Sequence, residues 1–317
     1  MADALIMIAF PLAHISWAVP DNATRKACDA FLTDVFGAET AFEMLTTPET
    51  LAMRLDREET LMVVGNTMLI SIAPMGAGLS PESVIGSMLR KHARAGMWIG
   101  IALMVADLDA ARAWVRDRGF IFKSYAGMEE RYFLLNRDDT LGVRLEFLKG
   151  DLMNDPRIKP AWNPQWWRDS HPLGIEALQS IGVSTPSLAM ARQIFGGKLG
   201  WPELSSRQLP EEGAECASFL IGDNVLEAMQ PVAPDTPLAR HCRDIQGIYC
   251  LTFKVRSVRA AADYLRDKGF GLIGDPDKRF AINPQQAFGR LLYFSGEPLD
   301  SRHPRKTLLG RPAEFSP

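Results

Sequence analysis

Asp107-Leu108-Asp109-Ala110-Ala111-Arg112-Ala113-Trp114-Val115-Arg116-Asp117-Arg118-Gly119-Phe120 reads as a helix over Asp107–Arg118 that stops at Gly119 in the C-cap position. The same text returns about 150 residues later as Ser257 to Phe270, where Ala260-Ala261-Ala262-Asp263-Tyr264-Leu265-Arg266-Asp267-Lys268-Gly269-Phe270 keeps both the helix and its glycine stop. Two further stretches repeat at nearly the same separation. Val64-Gly65-Asn66 through Ile72-Ala73-Pro74 matches Ile221-Gly222-Asp223 through Met229-Gln230-Pro231, and Gly142-Val143-Arg144-Leu145-Glu146-Phe147 matches Gly289-Arg290-Leu291-Leu292-Tyr293-Phe294. The second half of the chain is a copy of the first.

Each half is itself double. His14 to Val19 reads as a strand, stopped by Pro20-Asp21-Asn22, and a helix follows with Ala27, Phe31, Leu32 and Val35 at helical spacing until Gly37. Ala41–Leu45, Thr60–Val64 and Thr67–Ala73 supply three more strands, the last two a hairpin turning at Gly65-Asn66. Residues 75–97 connect, with Ser80-Pro81-Glu82 opening a short helix. The order then recurs: strand Trp98–Val105, the helix quoted above, and strands near Phe120–Ser124, Arg131–Leu135 and Gly142–Leu148. The expected architecture is α+β: four βαβββ modules paired into two domains, 1–150 and 174–300, joined by a Pro- and Trp-rich linker, 151–173, and followed by a surface tail, 301–317. Trp162, Trp166 and Trp167 are expected to pack the linker against a domain.

Composition bounds the rest. With 317 residues, 47% hydrophobic and 23% charged, the chain suits two soluble globular domains. A net charge of −3 without long runs of one sign points to neither nucleic acid nor membrane. The N-terminus lacks a basic region and cleavage site, and Cys28, Cys216, Cys242 and Cys250 show no CxxC spacing. Reduced thiols and a cytoplasmic location are the expectation.

Strand 142–150 alternates with period two, so Arg144, Glu146 and Leu148 share one face while Val143, Leu145 and Phe147 share the other. A carboxylate in mid-strand, if buried, must be paired, protonated or bound to a metal. Arg144, on its face, either neutralises Glu146 or receives an anionic substrate.

Val105-Ala106-Asp107-Leu108-Asp109-Ala110-Ala111, with the Gly119-Phe120 that follows, resembles the module opening of the vicinal oxygen chelate superfamily, which includes glyoxalase I, methylmalonyl-CoA epimerase, fosfomycin-resistance proteins and extradiol dioxygenases. The resemblance covers residues 10–298. It implies glyoxalase-like domains in which curved mixed sheets pair around a cup, and a divalent metal held by His on first strands and Glu on last strands. Aligned on Val19, Val105, Val183 and Val255, the first-strand slots hold His14, Gly100, Leu178 and Cys250, and the last strands offer Glu146 and Tyr293. The N-terminal cup therefore keeps His14 and Glu146 as candidate metal ligands, with Glu146 also the candidate catalytic base, and lacks the middle ligand at Gly100. Ser16, Ser71 and Arg144 are the candidate substrate contacts. The cofactor so implied is a divalent ion (Zn, Ni, Mn, Co or Fe(II)); the bland alternative is a structural hydrogen bond between His14 and Glu146. Tyr132 or Glu129 near the rim is a further candidate proton donor.

The C-terminal cup, with Leu178, Ser180, Gly182, Cys250, Thr252 and Tyr293, is expected to be an apolar, metal-free pocket. Glu227 falls one position off a ligand slot and is read as a surface or interface residue. The functional expectation is a metal-dependent lyase or isomerase acting on a small, vicinally oxygenated, carboxylate-bearing substrate through a stabilised enolate or alkoxide. A metal-free small-molecule binding protein and an extradiol-type dioxygenase are the alternatives. Paired cups form within one chain, so either a monomer or a homodimer suffices.

Overall fold

The computed structural model describes residues 12–45, 47, 57–75, 84–92, 96–124, 128–149, 155–222 and 224–297. The helix start at Ser80-Pro81-Glu82, part of the linker and the tail fall outside these residues.

The first half runs β1 (Leu12–Ala18), α1 (Asn22–Phe36), β2 (Glu39–Met44), β3 (Arg57–Val64), β4 (Thr67–Pro74) and α2 (Val84–Lys91). It repeats as β5 (Met97–Val105), α3 (Leu108–Asp117), β6 (Phe122–Lys123), β7 (Tyr132–Leu135) and β8 (Arg144–Lys149). After a short helix in the linker, α4 (Gln165–Asp169), the second half follows the same plan. It contains β9 (Ile175–Ser184), α5 (Leu188–Ala191), β10 (Glu203–Leu209), β11 (Ala214–Ile221), β12 (Asn224–Pro231), α6 (Pro237–Asp244), β13 (Gly247–Val255), α7 (Val258–Asp267), β14 (Leu272–Asp275), β15 (Arg279–Ile282) and β16 (Leu291–Ser295).

Each half folds into one eight-stranded mixed sheet. The strand orders, β2-β3-β4-β1-β5-β8-β7-β6 and β10-β11-β12-β9-β13-β16-β15-β14, are the same pattern twice. In each, the first strands of two modules pair antiparallel at the centre (β1 with β5, β9 with β13), and each runs parallel to the last strand of its own module. The four βαβββ modules read from the repeat are thus the observed units. The expected strand at 120–124 shrinks to Phe122–Lys123, because the chain there is still leaving the helix stop.

The helices form where side chains satisfy their free ends. Asp21 accepts from the Thr24 amide at 2.7 Å, and Asp107 accepts from the Asp109 and Ala110 amides at 2.9 Å. Gly119 and Gly269 end their helices at φ 75° and 84°, a left-handed conformation that a β-carbon disfavours. Fully buried Arg25 clasps α1 to the sheet, pairing with Asp29 at 3.1 Å and Glu43 at 2.8 Å and donating to Thr60.

One face of each sheet carries α1, α3, α5 and α7, and these faces share a single continuous apolar core across both halves, while α2 and α6 pack against the other faces. Phe36, at the end of α1, lies 5.6 Å from Phe253 and 6.0 Å from Phe294 of the second sheet. Trp167 is buried and donates its indole N–H to the Phe36 carbonyl at 2.8 Å, and Trp162 packs against it at 5.0 Å. Two of the three linker tryptophans therefore pack inward, whereas Trp166 stays 40% exposed. The opposite faces are the two cups.

Candidate active site

Alternation along β1 turns His14, Ser16 and Ala18 into the N-terminal cup and Ile15 and Trp17 into the shared core. On β8 it turns Arg144 and Glu146 into the cup. The strand registers then set the site. His14 lies beside Ala102, and Ala102 lies beside Glu146, so the imidazole and the carboxyl flank one small residue in a single row. Their backbones are two strand spacings apart, roughly 10 Å. Ser16, Gly100 and Arg144 form the next row. A β-carbon on Gly100 would stand 2.1 Å from the Arg144 carbonyl oxygen, so this slot admits no larger residue without moving β8.

Arg57 and Glu59 of β3, paired at 2.9 Å, complete the polar lining, with Ile70, Ile72, Ile85, Ile99 and Leu134 as the apolar part. The cavity holds about 60 Å³, room for only a few heavy atoms. Arg57 and Glu59 are readable as cup residues only if β3 is started before Thr60. Their signal is the alternation Arg57, Glu59, Leu61, on the face where Leu61 packs in the cup.

Burial governs the charges. His14 is 6% exposed, and its Nδ1 is buried with no hydrogen-bond partner. Desolvation, helped by Arg157 and Arg57, pushes its pKa down to about 3, so the ring is neutral at physiological pH. Desolvation pushes Glu146 up to about 7; Arg57 and Arg144 oppose the rise and Glu59 adds to it. Glu146 is therefore poised between its two forms near neutrality. No ion pair joins it to Arg144, and the Arg144 guanidinium makes no ion pair among the described residues.

These shifts have opposite consequences for stability. The folded His14 refuses a proton that the unfolded chain takes below its usual value of 6.5, so its contribution is lost as pH falls through that region. The folded Glu146 keeps a proton that the unfolded chain releases above 4.5, so its contribution falls as pH rises towards 7. Relative to wild type, His14→Gln should lose about 2 kcal/mol more between pH 5 and 7, and Glu146→Gln should gain about as much. Urea unfolding at both pH values checks the pair of signs.

Several expectations are corrected. Ser71 lies beside Trp17, on the helix-bearing face, near the half-buried Asp29. It does not reach the cup. The residue of β4 equivalent to Glu146 is Ile70, since Ile70 lies beside Ser16 as Glu146 lies beside Ala102. Tyr132 is buried in the cup-side cluster with Ala102 and Leu134, while Glu129 is exposed in the turn before β7. His92 sits just past the end of α2, where its Nδ1 lies 2.9 Å from the Asp244 carbonyl oxygen.

In the second half a register shift in β9 moves the slots. Ser180, not Leu178, stands beside Thr252 as His14 stands beside Ala102, and Leu178 turns into the core. Glu227 lies beside Gly182 as Ile70 lies beside Ser16, so it faces the C-terminal cup and is buried, not a surface residue. It accepts from Ser180 Oγ at 2.6 Å and pairs with Arg207. This cup is accordingly polar, not the apolar pocket expected.

The donor set of the N-terminal cup was tested against a divalent ion. His14 and Glu146 offer two donors, the third acid of the cavity, Glu59, is held by Arg57, and among the described residues no group of three His, Cys, Asp or Glu side chains is placed to hold an ion. Two guanidinium groups line the same cavity. These residues do not make a complete protein ligand set.

Residues 179–287 match the model of the Glyoxalase/Bleomycin resistance protein/Dioxygenase superfamily. The mitochondrial methylmalonyl-CoA epimerase of Bos taurus is 22% identical over 129 residues, 40% of this chain and 67% of that protein. Among solved structures, a mutant 4-hydroxymandelate synthase from Streptomyces coelicolor superposes with a TM-score of 0.66 at 13% identity, covering 91% of this chain and 92% of that one. The methylmalonyl-CoA epimerase of Mycobacterium tuberculosis aligns over 39% of this chain and 89% of its own, with 21% identity and a TM-score of 0.36. Among the described residues no helix is long and apolar enough to cross a membrane. With the doubled module and the two equivalent sheets in hand, residues 179–287 form a domain similar to those of the glyoxalase/bleomycin resistance protein/dioxygenase superfamily, and the chain has the fold of a two-domain vicinal oxygen chelate protein.

Proposed function

We propose that the N-terminal cup is a proton-transfer centre of the isomerase or lyase type, acting on the carbon next to the carboxylate or carbonyl of a small organic acid. The observation that carries this reading is the row His14–Ala102–Glu146: a buried, neutral imidazole with an unpartnered nitrogen and a half-buried carboxyl titrating near 7, in one cup. A base poised near the working pH combines useful amounts of its free form with driving force for proton abstraction. Glu146 takes the proton from carbon. The developing enolate oxygen is met by the Arg144 guanidinium and by a ring N–H of neutral His14, which donates without releasing a charge into the cavity. Arg57, already tethered to Glu59, adds positive potential at the same place. About 60 Å³ admits only the reacting end of the substrate, so the remainder lies outside the mouth.

The superfamily resemblance implies that a divalent metal stabilises the enolate; the donor set here supports guanidinium and imidazole in that role instead. The test is carbon–hydrogen exchange. Chelator-treated protein is incubated in D2O with a panel of small 2-substituted carboxylates and thioesters, and deuterium entry is followed by NMR. The reading predicts exchange that survives the chelator and is lost in His14→Ala and Glu146→Ala. Exchange that disappears on chelation and returns with manganese, nickel or zinc would instead support the metal-dependent enzyme. Saturable binding without exchange would support the metal-free binding protein.

A further inference from the structure

The C-terminal cup encloses about 480 Å³, within the range of small-molecule sites. Its four slots equivalent to the superfamily's ligand positions hold Ser180, Glu227, Cys250 and Tyr293, and both outer ones are engaged by arginines. Glu227 is ion-paired with Arg207, and the Arg279 guanidinium lies flat over the Tyr293 ring at 3.7 Å while pairing with Glu212. A cation is therefore already built into each place where a metal would find its donors.

Each guanidinium commits one terminal nitrogen to its carboxylate, Arg207 through Nη2 and Arg279 through Nη1. Both arginines line the chamber, and their side chains remain 33% and 22% exposed. A planar fork held at one edge by a carboxylate, and in one case stacked on an aromatic face, is pre-organised to receive an oxyanion at the other edge. Leu209 and Met229 supply an apolar wall, and Thr252 a hydroxyl. Glu211 and Glu297 also line the chamber, so the field is not uniformly positive. Recognition rests on the two local forks rather than on net charge.

We propose that the C-terminal cup is a metal-free binding site for a small organic anion, whose carboxylate or phosphate is received by Arg207 and Arg279 and whose apolar body lies on Leu209 and Met229. The site is separate from the proton-transfer cup and stands whether or not that reading holds.

Isothermal titration of the full chain with succinate, benzoate and phenyl phosphate, with benzamide as the neutral control, tests it. At least one anion is expected to bind saturably while benzamide does not, and its source chemistry is read from whether the carboxylates or the phosphate ester binds. Arg207→Met and Arg279→Met should each weaken binding tenfold or more, and Arg266→Met, at the exposed surface of α7, should leave it unchanged. Arg279→Lys keeps the charge but loses the fork and the stacking. It should weaken binding in protein whose thermal transition is intact, which guards against a variant that merely misfolds. Absence of saturable anion binding to wild type, or binding that ignores Arg207 and Arg279, would overturn the assignment.

Discussion

Replacing Glu146 by Gln should lower carbon–hydrogen exchange by on the order of 10³-fold, the scale of a lost general base, and leave the fold intact. Gln preserves the size of the side chain and its place beside Ala102, so the only thing removed is a group able to take a proton. The wild-type rate should rise with pH and level off above about 7, where Glu146 is ionised, and the residual rate of the variant should show no such inflection. Glu146→Asp separates position from chemistry. Its carboxyl is retained but withdrawn by one methylene, and it should recover part of the rate with the inflection moved. A Gln variant that keeps wild-type exchange would place the base elsewhere in the cup, with Glu59 the next candidate.

The second large effect concerns the joint between the halves. Phe36 is fully buried at the end of α1, with Phe31 at 5.7 Å on its own side and Phe253 and Phe294 of the second sheet across from it. Its carbonyl also receives the Trp167 indole N–H. Truncation to Ala opens a cavity where α1, the linker and the second sheet meet, and should cost about 3–5 kcal/mol in urea unfolding. Because the core is continuous across the joint, wild type is expected to unfold in one transition, and Phe36→Ala to lower it as a whole. A cost below about 1 kcal/mol, or loss confined to one of two separate transitions, would mean that the halves are stabilised independently. The same interlock explains why Gly142 is tightly placed: a β-carbon there would stand 2.6 Å from the Gln246 carbonyl of the second half.

What could be read in the sequence follows from how much each segment contrasts its two faces. The helices over 107–118 and 257–268 carry both periodicity and glycine stops, so their existence and the repeat they define were plain. β8 alternates, so the shared face of Arg144 and Glu146 was legible, and His14 and Ser16 followed from the strand that precedes Pro20. β4 gave no such guide. Thr67-Met68-Leu69-Ile70-Ser71-Ile72-Ala73-Pro74 is buried on both faces, and polarity cannot say which set looks into the cup. Ser71 was therefore placed one residue away from the true slot at Ile70. Glu227 was set aside by the same one-residue slip, since it stands beside Gly182 in the copy as Ile70 stands beside Ser16. Arg57 and Glu59 were missed because charge at a strand's start resembles loop. In the structure they are cup residues paired with each other.

The two cups have diverged by exchanging charges rather than by changing the fold. One keeps His14 and Glu146 and has Ile70 in the fourth slot; the other has Ser180 and Tyr293 and places a carboxylate, Glu227, where the first has Ile70. In the second, arginines neutralise the acids, and the chamber is open. In the first, the acid has no ion-pair partner among the described residues and is pushed towards neutrality by desolvation. That difference is the basis for assigning proton transfer to one cup and anion binding to the other.

The most direct measurement is the titration of Glu146 itself, read as the protonated-carboxyl infrared band in the difference between wild type and Glu146→Gln as pH is varied. The account predicts a band that disappears with a midpoint near 7 and coincides with the inflection of the exchange rate. A midpoint near the ordinary value of 4.5 would contradict it, because Glu146 would then be an ordinary solvated carboxylate with no proton to hold at neutral pH.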